Sequence, residues 1–328
     1  MGIKEDVVTV LERNKGTPVS GETIASALGV SRAAVWKSVK ELQSFGVPIS
    51  ASTNKGYTLD EAADILSRAS LSAYVDSPLI SLLEFHDEIG STNQRAKTLA
   101  VDGASHGTTV VARTQSGGRG RRGRAFASPE GGIYLSIVLR PERMAPGVVP
   151  VLITTAAAVA VARAVERVCH LRLDIKWVND LFLNGRKVCG ILTEGIADME
   201  NGGVSALVVG IGINFSTPVE AYPEDIRHMV RSLFPGEDKV PAGQSRAMLA
   251  AAIMKEVIDC ASHLGDDAIW TEYRDRCFLL GKKIRVEGNS PHAAVAEDID
   301  RDFHLHVRLP DGSREVLAAG EVSIRFDA

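Results

Sequence analysis

Over the first 45 residues, apolar positions recur at helical spacing and are interrupted by short polar turns. In "PVSGETIASALGVSRAAVWKSVKELQSFGV" (18–47), Ile24, Ala25 and Leu28 form one stripe, which Gly29 ends. Ser31 is placed to cap a second helix by accepting a hydrogen bond from its free amides. On that helix Val35, Val39 and Leu42 recur at i, i+4 and i+7 and should face inward. Ser31, Arg32, Ala33, Trp36, Lys37 and Lys40 are left at the helix start and on its outer face, the layout of a DNA-reading helix. A three-helix scaffold for protein contacts would carry the same stripe. "ISASTNKGYTL" (49–59) then reads as strand, Asn-Lys-Gly turn, strand, which makes a wing.

Beyond residue 80 the pattern changes. "TTVVARTQ" (108–115) and "GIYLSIVLRP" (132–141) have the β-branched density of strands. The apolar run Val148–Ala162 holds Thr154 and Thr155 and is broken by Arg163, which suits a buried helix better than a bilayer span. "IKW" (175–177) is a short strand, and "LFLNGRKVCGIL" (181–192) is a hairpin with Asn184-Gly185 as a type I′ turn. "VVGIGINF" (208–215) is a buried strand whose Gly210 and Gly212 leave room for something to lie against the sheet. The last stretch, with "KKIRVEG", "AVAEDID", "FHLHVRLP" and "VSIRF" between "EGNS" and "PDGS" turns, reads as a small β-barrel or sandwich. Its His304 and His306 alternate on a strand and could suggest a metal, but no third ligand is expected nearby, and they read as a solvated strand face.

Composition narrows this picture little. The 328 residues imply two or three domains, and 45% hydrophobic with 24% charged residues is ordinary for a soluble globular chain. A net charge of -4 means that any nucleic-acid contact must be local. Cys169, Cys189, Cys260 and Cys277 lack metal-like spacing, and "MGIKEDVVTVLERNKG" lacks the apolar core of a signal peptide. A cytoplasmic protein without a membrane partner is expected.

The unusual chemistry is concentrated in the middle. "SGGRGRRGRAF" (116–126) joins two strands, so its arginines sit on a loop rooted at both ends. Such a loop suits a small phosphate- or carboxylate-bearing ligand, although a nucleic-acid patch has the same composition. The P-loop pattern is absent. "STNQRAKTLA" (91–100) starts a helix, with Ser91 and Gln94 forming a capping box. Lys176, Asn179 and Asp180 fall at a strand end and in the loop after it, where sites are usually built. Lys187 by itself reads as a solvated lysine.

"STNQ", "TQSGGRGRRGR", "KWVNDL", "KVCGIL" and "GIGIN" occur in the order, and at about the separations, found in biotin–protein ligases. The chain resembles that family, and with its helix-turn-helix it is similar to the bifunctional members that also repress biotin synthesis genes. The resemblance implies an α+β protein with a winged helix-turn-helix DNA-binding domain at 1–62. A mixed-sheet α/β catalytic domain of the biotin/lipoate ligase type follows at 63–272, and a small SH3-like β-barrel at 273–328. It implies ATP-binding, nucleotide-binding ligase chemistry: biotin and ATP, with Mg2+, give biotinyl-5′-adenylate, and biotin passes to a lysine of a biotin carboxyl carrier domain. Further implied partners are operator DNA and a second copy of the chain in a ligand-dependent dimer.

By the same resemblance Lys187, Arg119 and Arg121 are catalytic. Ser91, Thr92, Asn93, Gln115, Gly118, Arg119, Arg121, Lys187 and Gly190 bind biotin. Arg121, Arg122, Arg124, Lys176, Asn179, Asp180 and Asn214 hold the nucleotide, and Asp180 is the candidate metal ligand. The segment 216–236 would order over adenine. Two departures stand out: Ala125-Phe126 where relatives carry a basic residue and Trp, and Val178 where Pro is common. A ligase with a non-regulatory N-terminal domain and a non-catalytic biotin sensor are the alternatives. DNA binding separates the first from a repressor, and pyrophosphate release excludes the second. Lipoate ligases share the fold but lack the arginine-rich loop.

Overall fold

The computed structural model describes residues 2–144, 150–197, 203–236, 239–287, 290–318 and 320–324. Helices α1 (Ile3–Arg13), α2 (Gly21–Leu28) and α3 (Arg32–Ser44) precede a hairpin, β1 (Ile49–Ser52) with β2 (Gly56–Leu59), completing the winged helix-turn-helix. Gly29 ends α2 at φ 65, a left-handed conformation that costs glycine little, and Ser31 Oγ accepts from Ala34 N to start α3. Val7, Leu11, Ile24, Val35 and Val39 make the core of this unit, while Leu42 is only partly buried.

The central unit comprises α4 (Arg68–Leu71), α5 (Ser77–Ser81), β3 (Leu83–Ile89), α6 (Thr92–Val101), β4 (Thr109–Gln115), β5 (Gly132–Leu139) and α7 (Pro150–Cys169). It continues with β6 (Asp174–Lys176), β7 (Asp180–Leu183), β8 (Arg186–Ala197), β9 (Val204–Asn214), α8 (Arg246–Ser262) and α9 (Asp267–Arg276). Its sheet runs β3-β4-β5-β9-β8-β7-β6, with β3 and β4 parallel and the other neighbours antiparallel. Alternation along the strands divides the sheet's two faces. Ile133, Leu135, Ile137, Val209 and Ile211 pack against α7 and α8. On the other face α6 packs on Val110, Val138, Ala206 and Val208 through Ala96 and Ala100. The remainder of that face, where Gly190, Gly210 and Gly212 lie, is left for the cavity described below.

The C-terminal unit is an antiparallel sheet, β13-β12-β11-β10-β14, built from β10 (Lys283–Glu287), β11 (His292–Ile299), β12 (Leu305–Arg308), β13 (Arg314–Leu317) and β14 (Glu321–Ile324). Strand β13 escapes sequence reading because Leu317 is its one buried side chain. Residues 288–289 of the expected "EGNS" turn lie outside the described residues, as do Val148 and Val149 of the apolar run. The expectation that no third ligand sits near His304 and His306 is corrected by Asp300, whose Oδ2 is 2.9 Å from His306 Nε2 and 3.3 Å from His304 Nδ1. The unit is joined to the centre by Trp177, whose Nε1 donates to the Phe303 carbonyl at 2.8 Å. The expected boundary at 272/273 falls inside α9, whose Tyr273 is buried against Phe303. No helix among the described residues is long and apolar enough to cross a membrane.

Candidate active site

Between β4 and β5 the arginine-glycine stretch is an ordered arm. Phe126 N donates to the Gly118 carbonyl at 2.9 Å, Gly120 N to that of Arg124 at 2.7 Å, and Arg119 pairs antiparallel with Ala125. Gly118 is required for this arm, since a Cβ there would lie 2.4 Å from the Phe126 carbonyl oxygen and 2.6 Å from Ser128 Oγ. At the arm's end the Phe126 ring lies over Gly190 and Gly212 of the sheet. A Cβ on Gly212 would be 2.3 Å from that ring, and one on Gly210 would be 2.1 Å from Asn93 Oδ1. The glycines of β9 therefore make room for the chain's own Phe126 and Asn93.

Lys187 owes its direction to a bulge. Asp180 pairs with Gly190 and Leu181 with Cys189, but Phe182 pairs with Lys187, so Val188 is an extra residue in β8. Val188 and Cys189 are both buried in succession, and Lys187 shares the face of Asp180 and Gly190. In regular pairing it would point to the opposite face. Lys187 Nζ lies 2.7 Å from Asp180 Oδ1 and 5.9 Å from the centre of the Phe126 ring. Asp180 Oδ1 is buried and receives no directed hydrogen bond, so the contact is an ion pair held by proximity. Where β9 has ended, residues 229–231 take its place. Lys187 N donates to the Met229 carbonyl at 2.9 Å, and Arg231 N to that of Lys187 at 3.0 Å.

A polar floor is built at the start of α6. Ser91 caps the helix through Gln94 N, but the reciprocal bond from the Gln94 side chain is absent among the described residues, so the expected capping box is half formed. Thr92 N donates to Gln115 Oε1 at 2.8 Å, and Gln115 Nε2 donates to Ser128 Oγ at 2.9 Å.

These parts surround a cavity of about 650 Å³. Ser91, Thr92, Asn93, Gln115, Arg119, Arg121, Arg122, Arg124, Lys176, Asn179, Asp180, Lys187 and Gly190 all line it. Basic side chains outnumber the lining carboxylates, Asp180 and Glu287, so the cavity favours an anionic occupant. Arg121 Nη1 reaches across to Asn179 Oδ1 at 3.1 Å, and Asn179 Nδ2 donates to the Ile191 carbonyl at 2.9 Å. The peptide between Trp177 and Val178 is cis. Neighbouring Cys189 offers no nucleophile, because burial pushes its thiol far above the ordinary value.

Three expected positions do not line this cavity. Gly118 shapes the arm and does not line the cavity. Asn214 is buried at the end of β9, on the face of Gly210 and Gly212, and its Nδ2 donates to the Arg231 carbonyl at 3.1 Å. The segment 216–236 contributes no lining residue. It packs along the start of β8, with Leu233 and Phe234 in the core, because that is where β9 leaves backbone groups to pair. Sequence reading missed Trp177, Glu287, Val322 and Ser323, which wall the cavity next to Lys176. Glu287, Val322 and Ser323 belong to the C-terminal sheet, and no local signal ties that sheet to the cavity. Ser136, buried beneath Thr92 and Asn93, was also missed, because a serine inside an apolar strand looks like packing.

On the outer face of α3, Arg32, Ala33, Lys37 and Lys40 are exposed, and Trp36 retains 56% of its surface. Ser31 is at the helix start, and Arg32 Nε lies 3.5 Å from Glu22.

Residues 86–214 match the model of the Biotin/lipoate A/B protein ligase family, and residues 4–58 match that of an HTH domain. The bifunctional ligase/repressor BirA of Bacillus subtilis (strain 168) is 36% identical over 322 residues, spanning 97% of this chain and 97% of that protein. The bifunctional ligase/repressor BirA of Escherichia coli (strain K12) is 32% identical over 312 residues, spanning 93% of this chain and 92% of its own. The biotin protein ligase from Aquifex aeolicus, solved in complex with biotin and ATP, shares the fold. It covers 74% of this chain and 98% of its own, with a TM-score of 0.61 at 24% identity.

Proposed function

Since the chain belongs to the biotin–protein ligase family, in its bifunctional ligase/repressor form, we propose that the cation-lined cavity joins biotin to ATP. The products are biotinyl-5′-adenylate and pyrophosphate, and biotin then passes to a lysine of a biotin carboxyl carrier domain. The observation that carries this reading is the bulge-directed Lys187 facing the arm of arginines across an open cavity. A carboxylate attacking a phosphate brings two anions together, and preorganised cations lower that barrier. Lys187 serves the reacting carboxylate and phosphate. Arg119, Arg121, Arg122 and Arg124 hold the adenylate from above, where the planar guanidinium grips two oxygens at once. Ser91, Thr92, Asn93 and Gln115 receive the biotin head group against Gly190, while Lys176, Asn179 and Asp180 face the nucleotide.

Mg2+ suits this donor set. Magnesium is commonly held by one or two carboxylates together with substrate phosphates, and Asp180, which lines the cavity beside Lys187, is the carboxylate that would hold it. When bound with ATP the ion would neutralise triphosphate charge. The test is purified protein with biotin, ATP, Mg2+ and a biotin carrier domain. The expected result is a mass increase of one biotin on the carrier, and an unmodified carrier with no pyrophosphate released would refute the reading.

The exposed basic face of α3 supports operator binding by Arg32, Trp36, Lys37 and Lys40, in a dimer assembled on the adenylate. A gel shift on the biotin-gene promoter that strengthens with biotin plus ATP is expected, together with a dimer in sedimentation. A promoter fragment unshifted under both conditions would leave a ligase with a non-regulatory N-terminal domain.

Arg121 ties the arm to Asn179, and a charge-assisted bond of this kind contributes about 1.5–3 kcal/mol. Arg121→Gly should therefore release adenylate roughly 10- to 100-fold faster. Stopped-flow dissociation at the wild-type rate would remove the tether.

A further inference from the structure

Strand β12 and the turn before it carry a group of side chains that the assigned chemistry does not use. Leu305 and Val307 are buried in the C-terminal sheet, so His304 and His306 stand together on its outer face. The turn 300–303 adds two carboxylates, Asp300 and Asp302. One ligand atom each from Asp300, Asp302 and His304 lies within 4.8 Å of the others, and none of these residues lines the cavity.

Asp300 is fixed by its own backbone neighbours. Its Oδ1 accepts from Asp302 N at 3.0 Å and from His304 N at 2.9 Å, which leaves Oδ2 to face the imidazoles. Distance separates the roles of the two histidines. His306 Nε2 lies 2.9 Å from Oδ2, the length of a charge-assisted hydrogen bond. His304 Nδ1 lies 3.3 Å from the same oxygen, which is long for such a bond. Metal–ligand bonds of about 2.0–2.1 Å place neighbouring ligand atoms of a tetrahedral ion about 3.3 Å apart, so this separation matches one edge of such a site.

The local charge agrees with a cation there. The Asp302 carboxylate has no hydrogen bond or ion pair among the described residues. Arg301, between the two aspartates in sequence, is turned away, paired with Asp267 and 3.8 Å from the centre of the Trp270 ring. Two carboxylates beside an imidazole suit Zn2+ or another borderline divalent ion, whereas Mg2+ and Ca2+ favour oxygen alone.

We propose that Asp300, Asp302 and His304 bind one zinc-type divalent ion, with water completing its coordination. His306 is a positioning residue, acting through the bond from its Nε2 to Asp300 Oδ2. The site lies on the joint between the C-terminal sheet and the central unit. Trp270 Nε1 of α9 donates to the Asp300 carbonyl at 2.8 Å, and Trp177 Nε1 donates to that of Phe303. A bound ion therefore braces the turn that grips α9 and the Trp177 wall of the cavity.

The test uses the full chain, stripped of metal by a chelator, with neither biotin nor ATP present. Zn2+ is titrated in competition with a chromophoric chelator, and Co2+ is followed by its visible absorption. Wild type should bind one equivalent of Zn2+ more than His304→Ala or Asp302→Asn, and that equivalent of Co2+ should show the intense bands of a tetrahedral site. Both side chains are partly or fully exposed, so in chelator the urea midpoints of these variants should match wild type. Added Zn2+ should raise the midpoint of wild type and leave that of His304→Ala unchanged. His306→Ala should keep the stoichiometry but weaken affinity roughly 10- to 100-fold, and His306→Gln, whose amide can donate to the same oxygen, should recover part of it. A merely structural role for His306 would lower the midpoint in chelator and leave affinity alone. Equal Zn2+ uptake by wild type, His304→Ala and Asp302→Asn would overturn the site, and full affinity in His306→Ala would overturn its positioning role.

Discussion

Lys187→Ala should slow biotinyl-adenylate formation by about 10²–10³-fold, the usual cost of removing one preorganised charge from a polar transition state. The loss has two parts. The alanine variant gives the reacting carboxylate and phosphate no cation, and it leaves the Asp180 carboxylate uncompensated beside them, 2.7 Å from where the ammonium had been. Asp180→Asn added to Lys187→Ala should therefore recover part of the rate, although Asp180→Asn alone is expected to be harmful. Lys187 is partly exposed at the cavity, so stability should change little and the effect should appear in single-turnover pyrophosphate release. A near-normal rate in the alanine variant would remove Lys187 from the chemistry, and with it the significance of the bulge at Val188.

Arg246→Ala should cost about 3–5 kcal/mol of folding stability, the range for breaking a buried ion pair on one side. Arg246 begins α8 and is buried. Its Nε lies 2.6 Å from Asp64 Oδ2, its Nη1 lies 2.5 Å from Glu130 Oε1, and its own N donates to Asp64 Oδ1 at 2.8 Å. Asp64 lies in the segment between the wing and α4, and Glu130 lies between the arginine arm and β5. One guanidinium thus joins the helix-turn-helix connection to the root of the arm. Arg246→Lys should restore little, since an ammonium cannot address both carboxylates with a planar fork. The check is urea unfolding, and a midpoint within error of wild type would contradict it. The pair also predicts an acid sensitivity. Burial alone would raise the Glu130 carboxyl, but Arg246 and Arg113 outweigh it and hold the group below its ordinary value. The stability that Glu130 contributes is complete above the ordinary carboxylate range and disappears as pH falls through the lowered value. Arg246→Ala should flatten that part of the stability profile.

Much of this protein was legible in local pattern. The 3.6-residue stripe of Val35 and Val39, the left-handed Gly29, the Ser31 cap and the Asn184-Gly185 turn each depend on residues within a few positions of one another, so the chain alone determines them. The arginine arm and the motifs around Lys176 and Gly190 were legible for the same reason, as dense clusters of unusual residues. Most of the expected site residues do meet at one cavity. Tertiary structure alone decided the rest, because it turns on pairing across the sheet. Lys187 reads as a surface lysine until the Phe182–Lys187 register adds Val188 and turns it inward. Only the fold shows that residues 229–231 pair with the start of β8 where β9 has ended, and that Asn214 bonds to Arg231. Glu194 and Ser136 are unremarkable in sequence, 101 and 43 residues from Asn93, and only folding brings them within hydrogen-bonding reach of it.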